Sequence, residues 1–141
     1  LDGGADNDVL DGEADTDSLI GGTGRDLLIG GAVLDTLAGG ADEDILIGGT
    51  TSHSGNAVAL TAIMAEWTSA NAYPTRITNL LNGGGANGST VLNATTVQND
   101  NNAADKINGS LATPNNTDLD WFFQSAGDVL DAINGEIRTT I

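Results

Sequence analysis

The chain of 141 residues is strongly acidic, with 20 Asp and Glu against 4 Lys and Arg and a formal net charge of −16. A surface of this sign argues against partners such as nucleic acid or anionic membranes, because their phosphate groups would be repelled. The sequence has no cysteine and no apolar run long enough to span a membrane, which excludes a disulfide scaffold and a membrane span.

Five consecutive nonapeptides begin at Gly3 and fill residues 3–47. They read GGADNDVLD, GEADTDSLI, GGTGRDLLI, GGAVLDTLA and GGADEDILI. Aspartate recurs at place six of each nonapeptide, as Asp8, Asp17, Asp26, Asp35 and Asp44. Leucine recurs at place eight, as Leu10, Leu19, Leu28, Leu37 and Leu46. A fixed period of this length indicates a stacked repeat architecture.

The spacing of these residues predicts short strands that alternate with tight turns. Glycine at the first two places permits positive φ, and a three-residue apolar piece follows each turn. Two nonapeptides would form one coil, so that equivalent turns stack every 18 residues. Asp8, Asp26 and Asp44 would then lie along one edge, and Asp17 and Asp35 along the other. We therefore expect a mainly β fold, a parallel β-roll (right-handed β-solenoid).

Stacked aspartates oppose folding unless a cation separates them. Carboxylates about 4.8 Å apart, the usual strand spacing, repel by about 0.9 kcal/mol in bulk water and roughly 3–4 kcal/mol at a dielectric near 20. A divalent cation between successive turns reverses the sign of this energy. Calcium suits the site because it accepts six to eight hard oxygen ligands, carbonyls included, whereas softer metals favour the cysteine and histidine that are nearly absent here.

The nonapeptides follow the pattern G-G-x-G-x-D-x-U-x, and the segment resembles the RTX (haemolysin-type) calcium-binding array of secreted bacterial proteins. The resemblance implies that each Ca²⁺ lies between turns n and n+2, held by two place-six aspartates and by turn carbonyls. It assigns ions to the turn pairs that begin at Gly3 and Gly21, at Gly21 and Gly39, and at Gly12 and Gly30. Besides the five aspartates, the implied metal-site residues are Gly3, Ala5, Gly12, Ala14, Gly21, Gly22, Thr23, Gly24, Gly30, Ala32, Gly39, Gly40, Ala41 and Asp42.

The Gly12–Gly30 pair departs most from the pattern. Glu13 replaces the second glycine, and Val33 occupies place four, where a β-branched residue resists positive φ. A sixth turn begins at Gly48, but His53 stands at its place six, so we expect the array to end there. This divides the chain into residues 1–52, the calcium-binding array, and residues 53–141, a C-terminal capping region.

Residues 56–82 are predicted to form a helical hairpin. Leu60, Ile63, Met64 and Trp67 follow the helical spacing of one apolar face, with Asn56 or Ser54 as the N-cap. Pro74 suits the first turn of a second helix that carries Ile77, Leu80 and Leu81, and Gly83 suits its end. We expect the pair to cover an open end of the solenoid, where strand edges would otherwise be exposed.

Residues 90–141 are predicted to be a degenerate continuation of the β-roll, with strands at Val91–Leu92 and Thr95–Val97 and a polar loop over residues 112–117. Asp105, Asp120 and Asp128 each stand two places before an apolar residue, as in the array. The apolar run 121–123, Trp-Phe-Phe, is expected to thicken the core and to pack against the helices. Two interpretations remain open for Asp100, Asp105, Asp118, Asp120 and Asp128: further calcium ligands, or solvated loop acids.

The sequence contains no catalytic set. It has no HExxH, no GxSxG and no cysteine, and His53 lies in a serine-rich turn with no orienting acid nearby in sequence. The GxGxxG spelling at residues 83–88 follows a predicted helix rather than a strand, so it indicates a loop and not a nucleotide site.

We therefore expect a calcium-binding structural module of a secreted or cell-surface bacterial protein, without enzymatic activity of its own. By resemblance, such arrays pass unfolded through type I secretion and fold on meeting extracellular Ca²⁺. An adhesin or self-assembling surface-layer module is the alternative, with self-association or a cell-surface partner. Leu1 and Asp2 fit places eight and nine of a preceding nonapeptide, so the chain is expected to be part of a longer protein.

Overall fold

A computed structural model of the chain describes residues 1–100, 103–110, 118–130 and 136–141. The array contains six strands: β1 (Asp2–Ala5), β2 (Val9–Asp11), β3 (Ser18–Thr23), β4 (Leu27–Ile29), β5 (Thr36–Ala41) and β6 (Ile45–Ile47). A short strand and two helices follow: β7 (Thr50–Thr51), α1 (Ala57–Trp67) and α2 (Tyr73–Asn82). The remaining strands are β8 (Val97–Gln98), β9 (Lys106–Ser110), β10 (Trp121–Gln124), β11 (Val129–Leu130) and β12 (Ile137–Thr140).

Successive strands of the array alternate between two parallel sheets. Sheet 1 has the order β1-β3-β5-β9-β11, and sheet 2 has the order β12-β10-β6-β4-β2. Within the array, paired residues lie 18 positions apart, as in Gly4 with Gly22 and Leu28 with Leu46. The expected stacking interval of two nonapeptides is therefore confirmed, and with it a mainly β chain of parallel sheets.

The stacking continues beyond the periodic sequence. Strand β9 extends sheet 1 with Thr36 opposite Lys106, and β10 extends sheet 2 with Ile45 opposite Trp121. Strands β11 and β12 then pair in parallel with β9 and β10. The periodic array ends before His53, but the stacking resumes within the predicted degenerate continuation: the chain leaves the sheets after Gly49 and rejoins them near Asp105. The domain division into residues 1–52 and 53–141, which was made from the sequence pattern, stays a prediction.

Place-eight leucines form the core between the sheets. Because alternate side chains of a strand point to opposite faces, one residue of each three-residue strand points inward. The inner cluster is completed by Ile107 and Phe122, which are 1% and 0% exposed. Its buried members are Leu10, Leu19, Leu28, Leu37, Leu46, Ile107 and Phe122.

The outer face of sheet 2 is covered by the helices rather than by solvent. Places seven and nine are apolar in β4, β6 and β10, so these strands are buried on both faces. Trp121 and Phe123 lie in the outer cluster with Ile63 and Trp67 of α1 and Leu80 of α2. The helical pair therefore packs on a sheet face, which corrects the expectation that it covers an open end. The apolar outer side chains supply the physical reason, since exposing them would cost more than exposing a short edge.

The two helices begin and end as the sequence predicts. The Asn56 side chain accepts a hydrogen bond from the Ala59 N–H at 3.2 Å, and Gly83, with φ of 82°, follows α2. Ile63 and Trp67 are fully buried on α1, and Pro74 lies in the first turn of α2. No helix in the described ranges is long and apolar enough to cross a membrane.

A polar contact network fixes the helices to the array through Glu43. The Trp67 indole N–H donates to the Glu43 carbonyl oxygen at 2.8 Å. The Glu43 carboxylate pairs with Arg25 at 2.6 Å and with Arg76 at 3.5 Å. Arg76, whose guanidinium carbon is 4.6 Å from the centre of the Trp67 ring, also donates to the Trp67 carbonyl at 2.8 Å. The network therefore ties α1 and α2 to side chains of two stacked turns.

Between α2 and β9 the expected strands are mostly absent from the described residues. Residues 91–96 form no strand, and β8 pairs antiparallel with β7, with Thr51 opposite Val97. This part of the predicted continuation is therefore wrong, because Leu92 and Val97 are buried in the outer cluster instead of stacking on the sheets. The expected polar loop over residues 112–117 lies outside the described residues.

Candidate metal centre

Aspartates at place six are joined into two ladders by their backbone and side chains. In the first ladder, the N–H of Asp8 donates to Oδ1 of Asp26, and the N–H of Asp26 donates to Oδ1 of Asp44, both at 2.8 Å. The N–H of Asp44 donates in the same way to Asp120 at 2.8 Å. The first ladder therefore runs through Asp8, Asp26, Asp44 and Asp120.

The second ladder occupies the opposite edge of the sheets. The N–H of Asp17 donates to Oδ1 of Asp35 at 2.8 Å, and the N–H of Asp35 donates to Oδ1 of Asp105 at 2.7 Å. A further bond of 3.1 Å joins the N–H of Asp105 to Oδ1 of Asp128. The predicted separation of the aspartates onto two edges is thus what the structure shows, and beyond His53 the first edge gains Asp120 while the second gains Asp105 and Asp128.

The turns that carry the ladders depend on left-handed backbone at places two and four. Place two has positive φ in every nonapeptide, from 95° at Gly4 to 124° at Gly40, with φ of 72° at Glu13. Place four has it in four of the five, including φ of 67° at Val33. Val33 thus adopts this region although a β-branched residue resists it, and the stacked turns impose the conformation at a cost of order 1–3 kcal/mol.

The second carboxylate oxygen of each ladder aspartate points into a space beside a place-one glycine. A side chain at Gly3 would place its first carbon 2.9 Å from Oδ2 of Asp8 and 2.7 Å from the carbonyl oxygen of Gly21. The corresponding distances at Gly30 are 2.7 Å to Oδ2 of Asp35 and 2.5 Å to the carbonyl oxygen of Gly48. A carboxylate oxygen and a backbone carbonyl of the next turn therefore converge beside each place-one glycine of the five nonapeptides.

Five of these carboxylate oxygens are buried and have no hydrogen-bond partner in the described part of the chain. They are Oδ2 of Asp8, Asp26, Asp35, Asp44 and Asp105. All but Asp8 belong to residues that are 0% exposed, and no basic side chain of the described residues forms an ion pair with them. Buried charges without partners are strongly unfavourable, so the arrangement suits a positively charged ligand.

The available donors fit calcium. They are carboxylate and carbonyl oxygens, the hard ligands that Ca²⁺ prefers. Within the described ranges, no group of three or more His, Cys, Asp or Glu side chains is placed to hold a metal by itself. A bound ion would therefore need carbonyls as well as two aspartates, as expected for this type of turn.

Burial also changes the protonation of the ladder carboxyl groups. Burial, only partly opposed by the N–H bond from Asp8, raises the pKa of Asp26 to about 6. For Asp44, burial and the nearby charges of Asp120 and Asp26 raise the pKa to about 9. Burial likewise raises the pKa of Asp105 to about 7 and that of Asp35 above its ordinary value. Protons and a cation would consequently compete for the same oxygens.

The predicted site residues of the odd-numbered nonapeptides lie mostly within β1, β3 and β5, which run through the glycines, and those of the even-numbered ones lie outside strands. Their ligation of calcium stays a prediction. Those at places one to four are Gly3, Ala5, Gly12, Ala14, Gly21, Gly22, Thr23, Gly24, Gly30, Ala32, Gly39, Gly40, Ala41 and Asp42. Some of their backbone groups already bond to neighbouring turns, such as the Gly24 N–H to the Ala41 carbonyl oxygen at 3.2 Å. A carbonyl oxygen has a second lone pair, so this bond leaves it able to bind a cation.

Sequence reasoning missed two glycines that belong to the same arrangement, Gly48 and Gly109. The carbonyl oxygen of Gly109 lies 2.6 Å from the first carbon of a side chain built at Gly39, as the Gly21 carbonyl does at Gly3. Gly48 is the first residue of the interrupted sixth turn, and its double glycine was the available signal. Gly109 lies outside the nonapeptide period, so the sequence pattern gave no indication of its position in the stack.

His53 is held as a structural residue. Its Nε2 lies 2.8 Å from the carbonyl oxygen of Val91, and its backbone N–H donates to the Thr51 hydroxyl at 3.3 Å. Neither neighbouring serine side chain bonds to the ring among the described contacts. The ring therefore links the start of the helical region to residue 91.

Comparison with known proteins identifies the array. The family model of the RTX calcium-binding nonapeptide repeat (4 copies) matches residues 1–28 and 20–50. No curated protein and no solved structure matches the chain. The RTX repeat family binds Ca²⁺ and is a structural module rather than a catalytic one. Residues 1–50 are therefore similar in sequence to the RTX calcium-binding nonapeptide repeat.

Proposed function

We propose that the two sheets form a right-handed β-solenoid that folds when Ca²⁺ binds between its turns. The ions would be held by the aspartate pairs Asp8–Asp26, Asp26–Asp44 and Asp17–Asp35, together with turn carbonyls. The observation that supports this most is the set of buried, unpartnered Oδ2 atoms within the array, each beside a carbonyl of the next turn, namely those of Asp8, Asp26, Asp35 and Asp44. Calcium supplies the positive charge that would allow these oxygens to remain buried and ionised.

Binding and folding are coupled in this proposal because the ligands come from residues 18 positions apart. In an unfolded chain these oxygens are dispersed, so the binding free energy becomes folding free energy. Extracellular calcium modules need affinities of only about 10⁻⁴–10⁻³ M. The array would thus stay unfolded at low calcium and fold at the concentrations found outside cells.

This behaviour fits a structural module of a secreted or cell-surface bacterial protein. RTX repeats typically occur in secreted bacterial proteins. An unfolded acidic chain can pass a narrow type I secretion channel and then fold outside. In this proposal the chain itself carries no catalytic activity, and its role is to fold and to hold its neighbours in place.

Circular dichroism of the full chain tests the proposal. In EDTA the β-type signal should be lost, and millimolar Ca²⁺ should restore it, whereas Mg²⁺ should not, since Mg²⁺ demands a smaller octahedral shell and gives up water reluctantly. Full β structure in EDTA would contradict coupled folding.

Asp26→Asn gives a sharper version of the same test. Asp26 is shared by two proposed ions, and Asn keeps the acceptor for the Asp8 N–H while removing the charge. We expect the calcium concentration at the folding midpoint to rise about tenfold or more. Asp15→Asn, the same change at an exposed residue outside the ladders, should leave the midpoint unchanged. Equal midpoints for the two variants would rule out Asp26 as a ligand.

An adhesin or self-assembling module is the second candidate. The outermost strands of both sheets, β1, β2, β11 and β12, each pair on one side only in the described residues, and unpaired edges favour association. Sedimentation velocity separates the candidates. Calcium-dependent growth into large particles would favour assembly, whereas a compact monomer in Ca²⁺ would favour the simple module.

A further inference from the structure

The sixth turn of the stack is assembled from two distant parts of the chain. Gly48 and Gly49 occupy its first two places, and Asp105, 57 residues after Gly48, takes place six. We call these three residues the split turn and residues 50–100, which contain both helices, the helical insertion. The bond from the Asp35 N–H to Oδ1 of Asp105, 2.7 Å long, repeats the bond from Asp17 to Asp35.

The split turn reproduces the glycine space of the intact turns. A side chain at Gly48 would place its first carbon 2.7 Å from Oδ2 of Asp105, the same distance as that from Gly30 to Oδ2 of Asp35. The carbonyl oxygen of Gly48 faces the space beside Gly30. Asp35 and the Gly48 carbonyl therefore meet beside Gly30, as Asp8 and the Gly21 carbonyl meet beside Gly3. Beside Gly48 itself, Asp105 is accompanied by Oδ2 of Asp128, 3.4 Å from the same built carbon, rather than by a carbonyl.

The Asp35 and Asp105 carboxylates are both buried, and each has one oxygen that could bind a cation. Asp35 and Asp105 are 0% exposed, and Oδ2 of each has no hydrogen-bond partner among the described residues. No basic side chain in those ranges forms an ion pair with either of them. One unpartnered buried carboxylate oxygen therefore lies beside the first glycine of each of two stacked turns, Gly30 and Gly48, which is a stronger indication than an acidic cluster alone.

Asp100 adds a third negative charge at the end of the helical insertion. It is 7% exposed, and both of its carboxylate oxygens are buried. Its backbone nitrogen lies 3.3 Å from the first carbon of a side chain built at Gly49, so Asp100 adjoins the split turn. Besides burial, its charge contributes to the raised pKa of Asp105 and of Asp35, which places all three in one electrostatic environment.

We propose that the split turn completes a further Ca²⁺ site, held by Asp35, Asp105 and the Gly48 carbonyl, with Asp100 strengthening it by its charge. The inference rests on the proposed calcium-dependent folding but concerns residues beyond the matched repeats. Its ligands flank the helical insertion, so the ion closes a long loop. Calcium at this site therefore joins the folding of the array to the docking of the helices and of β9.

Counting bound calcium in the full chain tests the site. By isothermal titration calorimetry, Asp105→Asn should bind at least one Ca²⁺ fewer than the wild-type chain. The amide keeps an oxygen for the Asp35 N–H, so we expect the fold in saturating Ca²⁺ to persist, as circular dichroism would verify. Asp15→Asn, matched in charge and exposed, should bind the wild-type number.

An unchanged stoichiometry in folded Asp105→Asn, with affinities within about twofold of wild type, would overturn the split-turn site. Wild type that binds no Ca²⁺ would instead refute the proposed function, so the two failures are distinguishable. Should Asp105→Asn not fold, Asp100→Asn replaces it, because no backbone hydrogen bond of the ladders ends on Asp100. One site should then weaken by about tenfold, and unchanged affinities at every site would overturn the proposal.

Discussion

At the scale of single residues, place-one glycines keep two oxygens close together. Gly21 has no positive φ, so its backbone would tolerate another residue, but a methyl group there would meet both Oδ2 of Asp26 and the Gly39 carbonyl oxygen. Gly84 offers the opposite combination, with φ of 102° and open space around it. Alanine substitutions at Gly21 and Gly84 therefore separate the energetic cost of a steric clash from the cost of backbone strain.

We expect Gly21→Ala to lower the free energy of unfolding by about 1–3 kcal/mol and to raise the calcium midpoint, because overpacking forces the turns apart. Gly84→Ala should cost about 1 kcal/mol through its positive φ and leave the calcium midpoint unchanged. Calcium titrations and urea unfolding of both variants measure the two quantities. A wild-type calcium midpoint in Gly21→Ala would contradict the proposed use of this space.

The ladder carboxyl groups also predict how stability depends on pH. In the folded chain the pKa is raised from 3.8 to about 6 at Asp26, about 7 at Asp105 and about 9 at Asp44. At a pH between 3.8 and each of these raised pKa values, the folded state therefore binds more protons than the unfolded state. In EDTA, the free energy of unfolding should fall as the pH rises from about 4 to about 9.

With saturating Ca²⁺ the trend should weaken or reverse, because the cation replaces the protons as the pH rises. Circular dichroism at about pH 5, 7 and 9, at constant ionic strength and with EDTA or Ca²⁺, measures the folded fraction and so both trends. A folded fraction in EDTA that rises with pH over this range would be incompatible with buried ladder carboxylates.

At the scale of elements, the helical pair stabilises the array by covering the outer face of sheet 2. Ile63 on α1 is 0% exposed within the outer cluster, whereas Val58 on the same helix is 82% exposed. Both are β-branched, so replacing either by alanine changes helix propensity in the same direction. The two positions thus differ mainly in burial.

Ile63→Ala should lower the free energy of unfolding in saturating Ca²⁺ by about 2–5 kcal/mol, since it leaves a cavity between α1 and the sheet. Val58→Ala should change it by no more than about 0.5 kcal/mol. Urea unfolding followed by tryptophan fluorescence, which reports on buried Trp67 and Trp121, provides the measurement. Similar losses in both variants would mean that α1 does not pack on the sheet as described.

At the scale of the whole molecule, charge and calcium should decide compactness. The formal charge of −16 repels itself in the absence of a cation, and residues 1–50 carry 12 of the 20 acidic residues. Small-angle scattering should give a radius of gyration of about 14 Å for the folded chain in Ca²⁺ and up to about 39 Å for the unfolded chain in EDTA. Equal radii in the two conditions would refute calcium-driven compaction.

The effect of sodium chloride provides a control for this experiment. Salt shortens the Debye length to about 3 Å at 1 M, so it weakens repulsion between exposed charges. It does not ligate the buried oxygens of the ladders. We therefore expect partial contraction in concentrated salt and full compaction only with Ca²⁺.

Sequence alone determined the repeat, its interval of 18 residues and the two edges on which the aspartates lie. These features follow from local rules, because a glycine turn, a three-residue strand and the alternation of side chains are fixed within each nonapeptide. The helices were also predictable, since their apolar spacing and caps are local. The roles of Asp105, Asp120 and Asp128 were visible only as a resemblance to the pattern, without an assigned partner.

Tertiary structure alone decided which residues complete the later turns and which face the helices cover. An aspartate takes place six only if it bonds to the stacked turn next to it. Thr36 pairs with Lys106, 70 positions away instead of 18, so the nine-residue period could not identify Asp105 from the sequence. Closing so long a loop costs little more than closing a short one, since the entropy grows only with the logarithm of its length. Stacking can therefore resume after a long insertion, at a position that local sequence patterns do not predict.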